Sequence, residues 1–499
     1  MAKKMNITRL KISPGAILLF IILMMTICLF ILRINLAFSY LPEIGGVSIN
    51  VMYGIMRILS GSELYTNPEA APFPIIQYMP LHFYVVTFIG KLLGVTKDVH
   101  SMMVVNRVFC LILDASTVFV IGRTLVKTLQ VKKNLAIALS CIYFLSIPSI
   151  IYARVDNLYL FFFVATLAVL LKNIFSNRAP HIINIRLVLL SGVLCMLALL
   201  TKQTAVFLFG FCCIYYIFLQ RSMYQWTVFM GGAMATLLIS LIFIYPDSLP
   251  YFKLNVLDGV KNGFNPNWFT EVILKNFFLK FSYILASGFF IALLLFKERS
   301  RPGYIFLSIG IAWFFTTATI TAFKAGSGSN YYLEFIALSI YGAALLLKNQ
   351  IGPTSQVVLF ALMLSPFFII SAANDKGWGD LGMMKKAKKN YLNCIDVSNY
   401  LKSKIKDGEW ILTDFHKENT LNLQLSDKAL FPCREVALYF TRPIGIFHFK
   451  EFQILLEDGK IPYIITREGE ELTEFIEVPI KNYERDTLIG KFQIFKKSN

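Results

Sequence analysis

PGAILLFIILMMTICLFILRINLAFSYLPE, residues 14–43, sets a long apolar run, from 14 to about 37, against an abrupt polar exit at Tyr40-Leu41-Pro42-Glu43. A run of that length crosses the ~30 Å hydrocarbon core of a bilayer as one helix, which needs about 20 apolar residues. The polar stretch it leads into continues to about His100 and is rich in aromatic, proline and glycine residues. Loops this long are usually functional or disordered. This one is too aromatic to be disordered, so it is the first place to look for chemistry.

Working outward, the 499 residues are 56% hydrophobic and only 16% charged, outside the range of a soluble domain. The apolar runs are continuous where a barrel would alternate, so the chain reads as a polytopic α-helical membrane protein. The formal net charge of +18 does not point to nucleic acid, because no basic, aromatic-interleaved soluble domain is present. Basic residues gather at the ends of apolar runs instead: Lys3 and Lys4; Lys127, Lys132 and Lys133; Lys297, Arg299 and Arg301. That is the positive-inside pattern, facing anionic lipid. Of eight cysteines, Cys28, Cys110, Cys141, Cys195, Cys212 and Cys213 lie in apolar runs as small core residues. Cys394 and Cys433 could pair if the C-terminal region is extracytoplasmic. No cysteine or histidine spacing suggests zinc. The first apolar run is too long for a signal sequence and no small-residue cleavage site follows it, so it reads as an uncleaved anchor.

With residues 1–11 in the cytoplasm, the first span exits near Phe38 and the next, about 102–126, returns to the basic cluster at Lys127 to Lys133. The stretch from 38 to 100 is therefore outside as one piece. Within it, 47–59 and 81–93 are apolar but short, and read as helices lying in or dipping into the outer interface. The second could instead be a true span, which would invert everything after it; the basic cluster at Lys132 argues against that. Further spans are expected at 135–151, 158–171, 187–200, 205–219, 226–245, up to Lys297, 304–323, 333–347 and 357–372, about eleven in all. Residues 1–372 form this membrane domain. After Asn374 charge rises, and residues 373–499 read as a small soluble α/β domain within the usual domain size. It has an amphipathic helix at 391–405 and short strands at 410–413, 462–466 and 488–495. Span parity puts it outside the cell; Lys385, Lys386, Lys388 and Lys389 pull the other way, but charge within a whole domain is a weak orientation signal.

Four features converge on the outer side. Glu43 directly follows the first span and precedes Gly45-Gly46, which lets the backbone fold tightly. A carboxylate there can take a proton from an incoming hydroxyl; the plain alternative is a solvated loop acid, as Glu63 and Glu69 read. Arg154 and Asp156 sit on a turn between spans. They form either a mutual ion pair at helix ends or a site in which Arg154 grips an anionic head group and Asp156 orients it or serves as a second carboxylate. Lys202 and Gln203 interrupt an otherwise continuous apolar stretch from 187 to 219. Lysine at a membrane edge can snorkel, yet polar residues at membrane depth are functional candidates by default. Lys324 opens a Gly/Ser loop that runs into Asn330-Tyr331-Tyr332-Leu333-Glu334, where Asn330 and Glu334 are four apart and can share a helix face. Tyr331 and Tyr332 are ordinary for an interfacial aromatic belt.

Together these resemble the GT-C superfamily of glycosyltransferases. The match is carried by the acid after the first span, Gly61-Ser62-Glu63-Leu64-Tyr65, Tyr78-Met79-Pro80-Leu81-His82-Phe83-Tyr84, Ala153-Arg154-Val155-Asp156, Thr201-Lys202-Gln203-Thr204 and Asn330-Tyr331-Tyr332-Leu333-Glu334. It covers roughly residues 14–372, and is nearest to bacterial members similar to protein O-mannosyltransferases and the lipid A aminoarabinose transferase. The resemblance implies an inverting transfer of a sugar from a polyprenyl-phosphate carrier to a hydroxyl acceptor (glycolipid, polysaccharide or protein) on the outer face of a membrane. The bacterial inner membrane is the simplest setting. It places Glu43 as base and Asp156 beside it in catalysis. Substrate contacts fall to Tyr78, His82, Arg154, Lys202, Gln203, Lys324, Asn330, Tyr332 and Glu334. Many relatives carry Asp or an Asp-Glu pair where this chain has one Glu. No metal and no cofactor beyond the lipid-linked donor are expected. A transporter or flippase of lipid-linked sugars is the alternative; it would favour paired repeats, which are not evident here.

Overall fold

The computed structural model describes residues 14–41, 47–95, 98–147, 153–176, 184–244, 249–278, 282–348, 381–414, 420–425, 428–433, 437, 441–468 and 482–498. The chain enters on α1 (Pro14–Phe38), and α2 (Val47–Leu59) and α3 (Leu81–Leu92) follow in the first loop. α4 (Val99–Lys127), α5 (Lys133–Ser146), α6 (Val155–Ser176), α7 (Ile185–Thr201), α8 (Val206–Ile214) and α9 (Met223–Ile244) then run back and forth. Short α10 (Leu249–Phe252) and α11 (Pro266–Trp268), each continued by π-helical turns, form the second loop before α12 (Ser282–Lys297), α13 (Pro302–Ala322) and α14 (Leu333–Lys348).

Among the described residues, six helices, α1, α4, α6, α9, α13 and α14, are long and apolar enough to cross a membrane; α5, α7, α8 with its flanking turns, and α12 are apolar but shorter. The protein is an integral membrane protein. The expected span at 357–372 lies outside the described residues, as does the boundary between the two domains.

Close packing follows from side-chain size. α7 and α9 meet through reciprocal glycines: a Cβ on Gly192 would fall 2.1 Å from the Phe229 carbonyl oxygen, and one on Gly232 would fall 2.5 Å from that of Leu189. Small residues at such crossings let backbones approach where lipid offers no hydrophobic drive. At the basic end of the bundle, Lys348 Nζ donates to the Leu129 carbonyl at 2.8 Å, joining the end of α14 to the end of α4.

The first loop is folded around an apolar cluster that other parts of the chain also enter. Met52, Tyr53, Tyr65, Phe83 and Val86 pack with Met102 of α4 and Val256 of the second loop. Asn255 stitches the loops together: its Oδ1 accepts from Ile76 N at 2.9 Å and its Nδ2 donates to the Thr66 carbonyl at 2.9 Å. The short helices at 47–59 and 81–92 appear where the sequence places them.

The C-terminal domain joins α15 (Leu381–Lys402), α16 (Thr420–Gln424) and α17 (Lys450–Glu457) to a four-stranded sheet of β1 (Ile411–Asp414), β2 (Tyr463–Arg467), β3 (Tyr483–Ile489) and β4 (Phe492–Lys497), in the order β1-β2-β4-β3. β1 and β2 are parallel and the other pairs antiparallel. One face (Ile411, Ile465, Ile494) packs on Cys394, Val397 and Leu401. The other (Leu412, Ile464) packs on Phe431, Phe449 and Phe452, and on Phe73 and Ile75 from the first loop. Two expectations are corrected here. The segment 488–495 is not one strand but a hairpin turning at Gly490 (φ +59°), and its first arm, Tyr483–Ile489, is an edge strand whose charged residues hide the strand pattern. Cys394 and Cys433 belong to separate cores, Cys433 lying with the first-loop cluster, so the geometry does not bring them together as a pair.

Within the apolar runs of α1 and α4 lies a buried charge pair. Arg33 Nη1 meets Asp114 Oδ2 at 3.2 Å, and Arg33 Nη2 donates to the Ile147 carbonyl. Asn157 Nδ2 donates to Asp114 Oδ1 at 2.8 Å, and the guanidinium carbon sits 4.5 Å from the Phe144 ring centre. Stripping one member leaves a buried charge without its counter-ion. Arg33→Met and Asp114→Leu are therefore each expected to cost about 3–5 kcal/mol, and the double variant less than the sum. Thermal unfolding of the three variants in detergent tests this; strictly additive losses would show that the two charges are not coupled.

Candidate active site

Asp156 stands in the first turn of α6, almost fully buried. Its Oδ1 accepts from Lys202 Nζ at 2.5 Å and from Asn330 Nδ2 at 2.7 Å. Three separate elements supply this cluster. Lys202 reaches it because α7 stops at Thr201: Lys202 is extended (φ −150°, ψ 132°), and a 3-10 turn, Gln203–Ala205, starts α8. That break is the polar interruption visible in the sequence. Asn330 comes from the 3-10 turn Ser329–Tyr332 that leads into α14.

The lysine is enclosed. Its Nζ lies 4.8 Å from the Tyr331 ring centre and 5.7 Å from that of Tyr159, so two aromatic faces help to hold the charge away from water. Glu334, buried in the first turn of α14, is hydrogen-bonded by Tyr159. Arg154 is near enough to act electrostatically on Asp156. Lys324 projects from the loop between α13 and α14, half-buried, and feels Lys202. Burial, with Lys202 beside it, lowers the Lys324 ammonium to about 8. The outcome is a cluster that sets Arg154, Lys202 and Lys324 against Asp156 and Glu334, a surplus of positive charge suited to an anion.

A second polar layer lies behind. His82 is fully buried on α3 with Nε2 3.0 Å from Asn106 Oδ1, and Asn106 Nδ2 donates to the Ala153 carbonyl at 3.4 Å. Burial lowers His82 to about 4, so the ring is neutral at ordinary pH. Its role in this geometry is to brace the turn that presents Arg154. Next to it, Arg107 folds back onto the end of α1, donating to the carbonyls of Ser39 at 2.5 Å and Leu41 at 2.6 Å. Leu41 is two residues before Glu43. Glu43 and Gly45-Gly46 lie outside the described residues.

Of the residues singled out in the sequence, Asp156, Lys202 and Asn330 touch, with Arg154, Lys324 and Glu334 around them. Three others serve different neighbours. Gln203 Nε2 donates to the backbone carbonyls of Gln77 at 2.5 Å and Val256 at 3.2 Å, tying the two loops to the α7–α8 break. Tyr78 is half-buried against the first-loop core and its carbonyl accepts from the Tyr65 hydroxyl at 2.7 Å. Tyr332 points into an aromatic cluster with Phe278 and Phe315, its hydroxyl 3.3 Å from that of Thr319; its neighbour Tyr331 is the one that covers Lys202. Arg154 and Asp156 do not form an isolated pair, since the direct partners of Asp156 are Lys202 and Asn330. Glu69, expected to be merely solvated, accepts from His448 N at 2.9 Å and so ties the first loop to the C-terminal domain.

Sequence reading missed Asn106, Arg107, Tyr159 and Tyr331. The first two had a usable signal: polar and ionisable residues inside a span are costly and mark structural or functional contacts. Among the described residues, no three His, Cys, Asp or Glu side chains group as metal ligands.

No protein-family model matches the chain, and no curated protein matches it by sequence. Solved structures do match by fold. ArnT from Cupriavidus metallidurans bound to undecaprenyl phosphate is similar with a TM-score of 0.59, over 95% of this chain and 97% of that one, at 11% identity. The archaeal oligosaccharyltransferase AglB from Archaeoglobus fulgidus, in complex with an inhibitory peptide and a dolichol-phosphate, is similar with a TM-score of 0.52, over 90% of this chain and 69% of that one, at 12% identity. At such identities the likeness is one of fold. What this chain shares with ArnT and AglB is their fold.

Proposed function

We propose that the protein is a membrane glycosyltransferase that moves a sugar from a polyprenyl-phosphate carrier to a hydroxyl acceptor on the outer face of the membrane, with inversion and with Glu43 as base. The observation that carries this reading is the buried Asp156–Lys202–Asn330 cluster, flanked by Arg154 and Lys324. It lies at the end of the bundle where α1 leads to Glu43, in a fold shared with a protein crystallised with undecaprenyl phosphate.

The chemistry follows from the charges. Nucleotide sugars are cytoplasmic, so transfer on the outer face needs a lipid-borne donor. The acceptor oxygen attacks the anomeric carbon as the bond from that carbon to the phosphate oxygen breaks. The acceptor proton passes to Glu43 and the carrier leaves as polyprenyl phosphate. Arg154 and Lys324 face the charge that grows on the leaving phosphate, within a partly water-excluded cluster where such help is worth most. Lys202 adds to that field while Asp156 and Asn330 fix its position. One displacement inverts the anomeric centre. The bacterial inner membrane is the setting that fits a lipid-phosphate donor and an outward-facing site.

Two outcomes test this. Glu43→Gln is expected to lower transfer from a polyprenyl-phosphate sugar by about 10²–10⁴-fold in proteoliposomes, measured as free polyprenyl phosphate released. A flippase would instead move the carrier between leaflets without releasing it, and undiminished release by the variant would remove Glu43 from the mechanism. The second is a pH profile. Lys324 holds its charge below about 8 and loses it above, so leaving-group stabilisation fades as pH rises through that value. Transfer is expected to decline above about pH 8, and Lys324→Arg, which stays protonated, is expected to keep its rate there. An identical alkaline decline in both proteins would take Lys324 out of the reaction.

A further inference from the structure

α4 carries a polar stripe inside its apolar run. Asn106, Cys110 and Asp114 are spaced four apart, so they stand one above the other on one face of the helix. Each meets the start of α6. Asn106 Nδ2 donates to the Ala153 carbonyl at 3.4 Å, Cys110 Sγ donates to the Arg154 carbonyl at 3.6 Å, and Asp114 Oδ1 accepts from Asn157 Nδ2 at 2.8 Å. Successive turns of one helix thus hold the segment 153–157, which contains Arg154 and Asp156. Polar residues inside a span are costly and persist where they pair or serve the site; here the pairing converges on one short segment.

Helix geometry shows what the last of these contacts does. Neighbouring residues of an α-helix point about 100° apart. Asn157 faces α4, while Asp156, one residue earlier, faces Lys202 and Asn330. A turn bonded in two directions cannot rotate or slide without breaking one bond or the other. Asp114 is itself held, because Arg33 of α1 meets its second oxygen at 3.2 Å and also donates to the Ile147 carbonyl after α5. Arg33, Asp114 and Asn157 are all buried, so an unbroken polar chain runs from α1 through α4 to the residue beside Asp156. We infer that Asp114 and Asn157 are positioning residues: the ion pair inside the bundle sets the rotation of α6 at which Asp156 holds Lys202 and Arg154 faces the leaving phosphate. Only the consequence for the phosphate rests on the transferase reading; the hold on Lys202 stands on the contacts themselves.

The full-length protein in detergent gives two readings. One is reductive methylation of Lys202, followed by peptide mass spectrometry with the half-buried Lys324 as internal control. The other is kcat/KM for release of polyprenyl phosphate from a polyprenyl-phosphate sugar. Arg33→Met with Asp114→Leu removes both charges and the acceptor for Asn157. Arg33→Gln with Asp114→Asn also removes both charges but leaves Asn157 an oxygen. If the pair served stability alone, the two double variants would behave alike. The first is expected to methylate Lys202 several-fold faster and to lose about tenfold or more in kcat/KM. The second is expected to stay within about threefold of wild type in both readings. Asn157→Leu leaves the ion pair in place and is expected to follow the first double variant; it decides the matter if that variant does not accumulate. Unchanged methylation of Lys202 in the first double variant and in Asn157→Leu, or an equal rise in both double variants, would overturn the inference. Faster methylation with unchanged kcat/KM would keep the positioning role and count against the Lys202 cluster as the site of transfer.

Discussion

The buried contact between Lys202 and Asp156 is the constraint around which this molecule is arranged. Withdrawing two opposite charges from water costs several kcal/mol for each ion, and the attraction between them offsets that only when geometry is close and further hydrogen bonds satisfy what remains. Here Asn330 supplies the further bond and the rings of Tyr331 and Tyr159 cover the cation. The cluster can form only if α7 ends at Thr201, α6 begins at Val155 and the turn before α14 stands against both. It thus registers the ends of three helices that hydrophobic packing alone would leave free to slide by a turn. In the proposed transferase the same interaction keeps a cation aimed at the place where a phosphate would leave.

A second constraint acts from above the bundle. The first loop and the C-terminal domain do not have separate cores: Phe73 and Ile75 of the loop fill one face of the sheet, and Leu423 and Cys433 of the domain enter the core of the loop. Phe431 N donates to the Pro72 carbonyl at 2.9 Å, and Glu69 ties to His448. An apolar face shared in this way is exposed if either partner leaves, so the soluble domain is held over the loop by the same burial that folds it. Gln203 extends the arrangement downward, linking the loops to the break beside Lys202.

The legibility of the chain followed the physics of each region. The helices of the bundle were readable because a bilayer leaves the backbone no unsatisfied alternative, so a sustained apolar run is a helix whatever its neighbours do. The two interfacial helices were readable because they are apolar yet too short to span. Strand β3 was not, since an edge strand facing water carries charges that erase alternation. At the site, Asp156, Lys202 and Asn330 stood out as polar residues at membrane-edge breaks. Arg107 and Asn106 were lost inside a long apolar average, and Tyr331 could not be told from Tyr332, because which of two adjacent rings turns inward depends on the pitch of a four-residue turn.

By itself, then, the sequence determined that this is a many-helix membrane protein with a folded first loop, a soluble C-terminal domain and polar breaks at one end of its helices, because burial in lipid and hydropathy act locally along the chain. Only the tertiary structure decided which polar residues meet. It gave Asp156 to Lys202 and Asn330 rather than to Arg154, set Gln203 to pinning loops, turned Tyr332 into the core, and placed Asn157 against Asp114. Those pairings join residues tens to hundreds of positions apart, and a contact at that range is set by how helices rotate and cross, which no local pattern records.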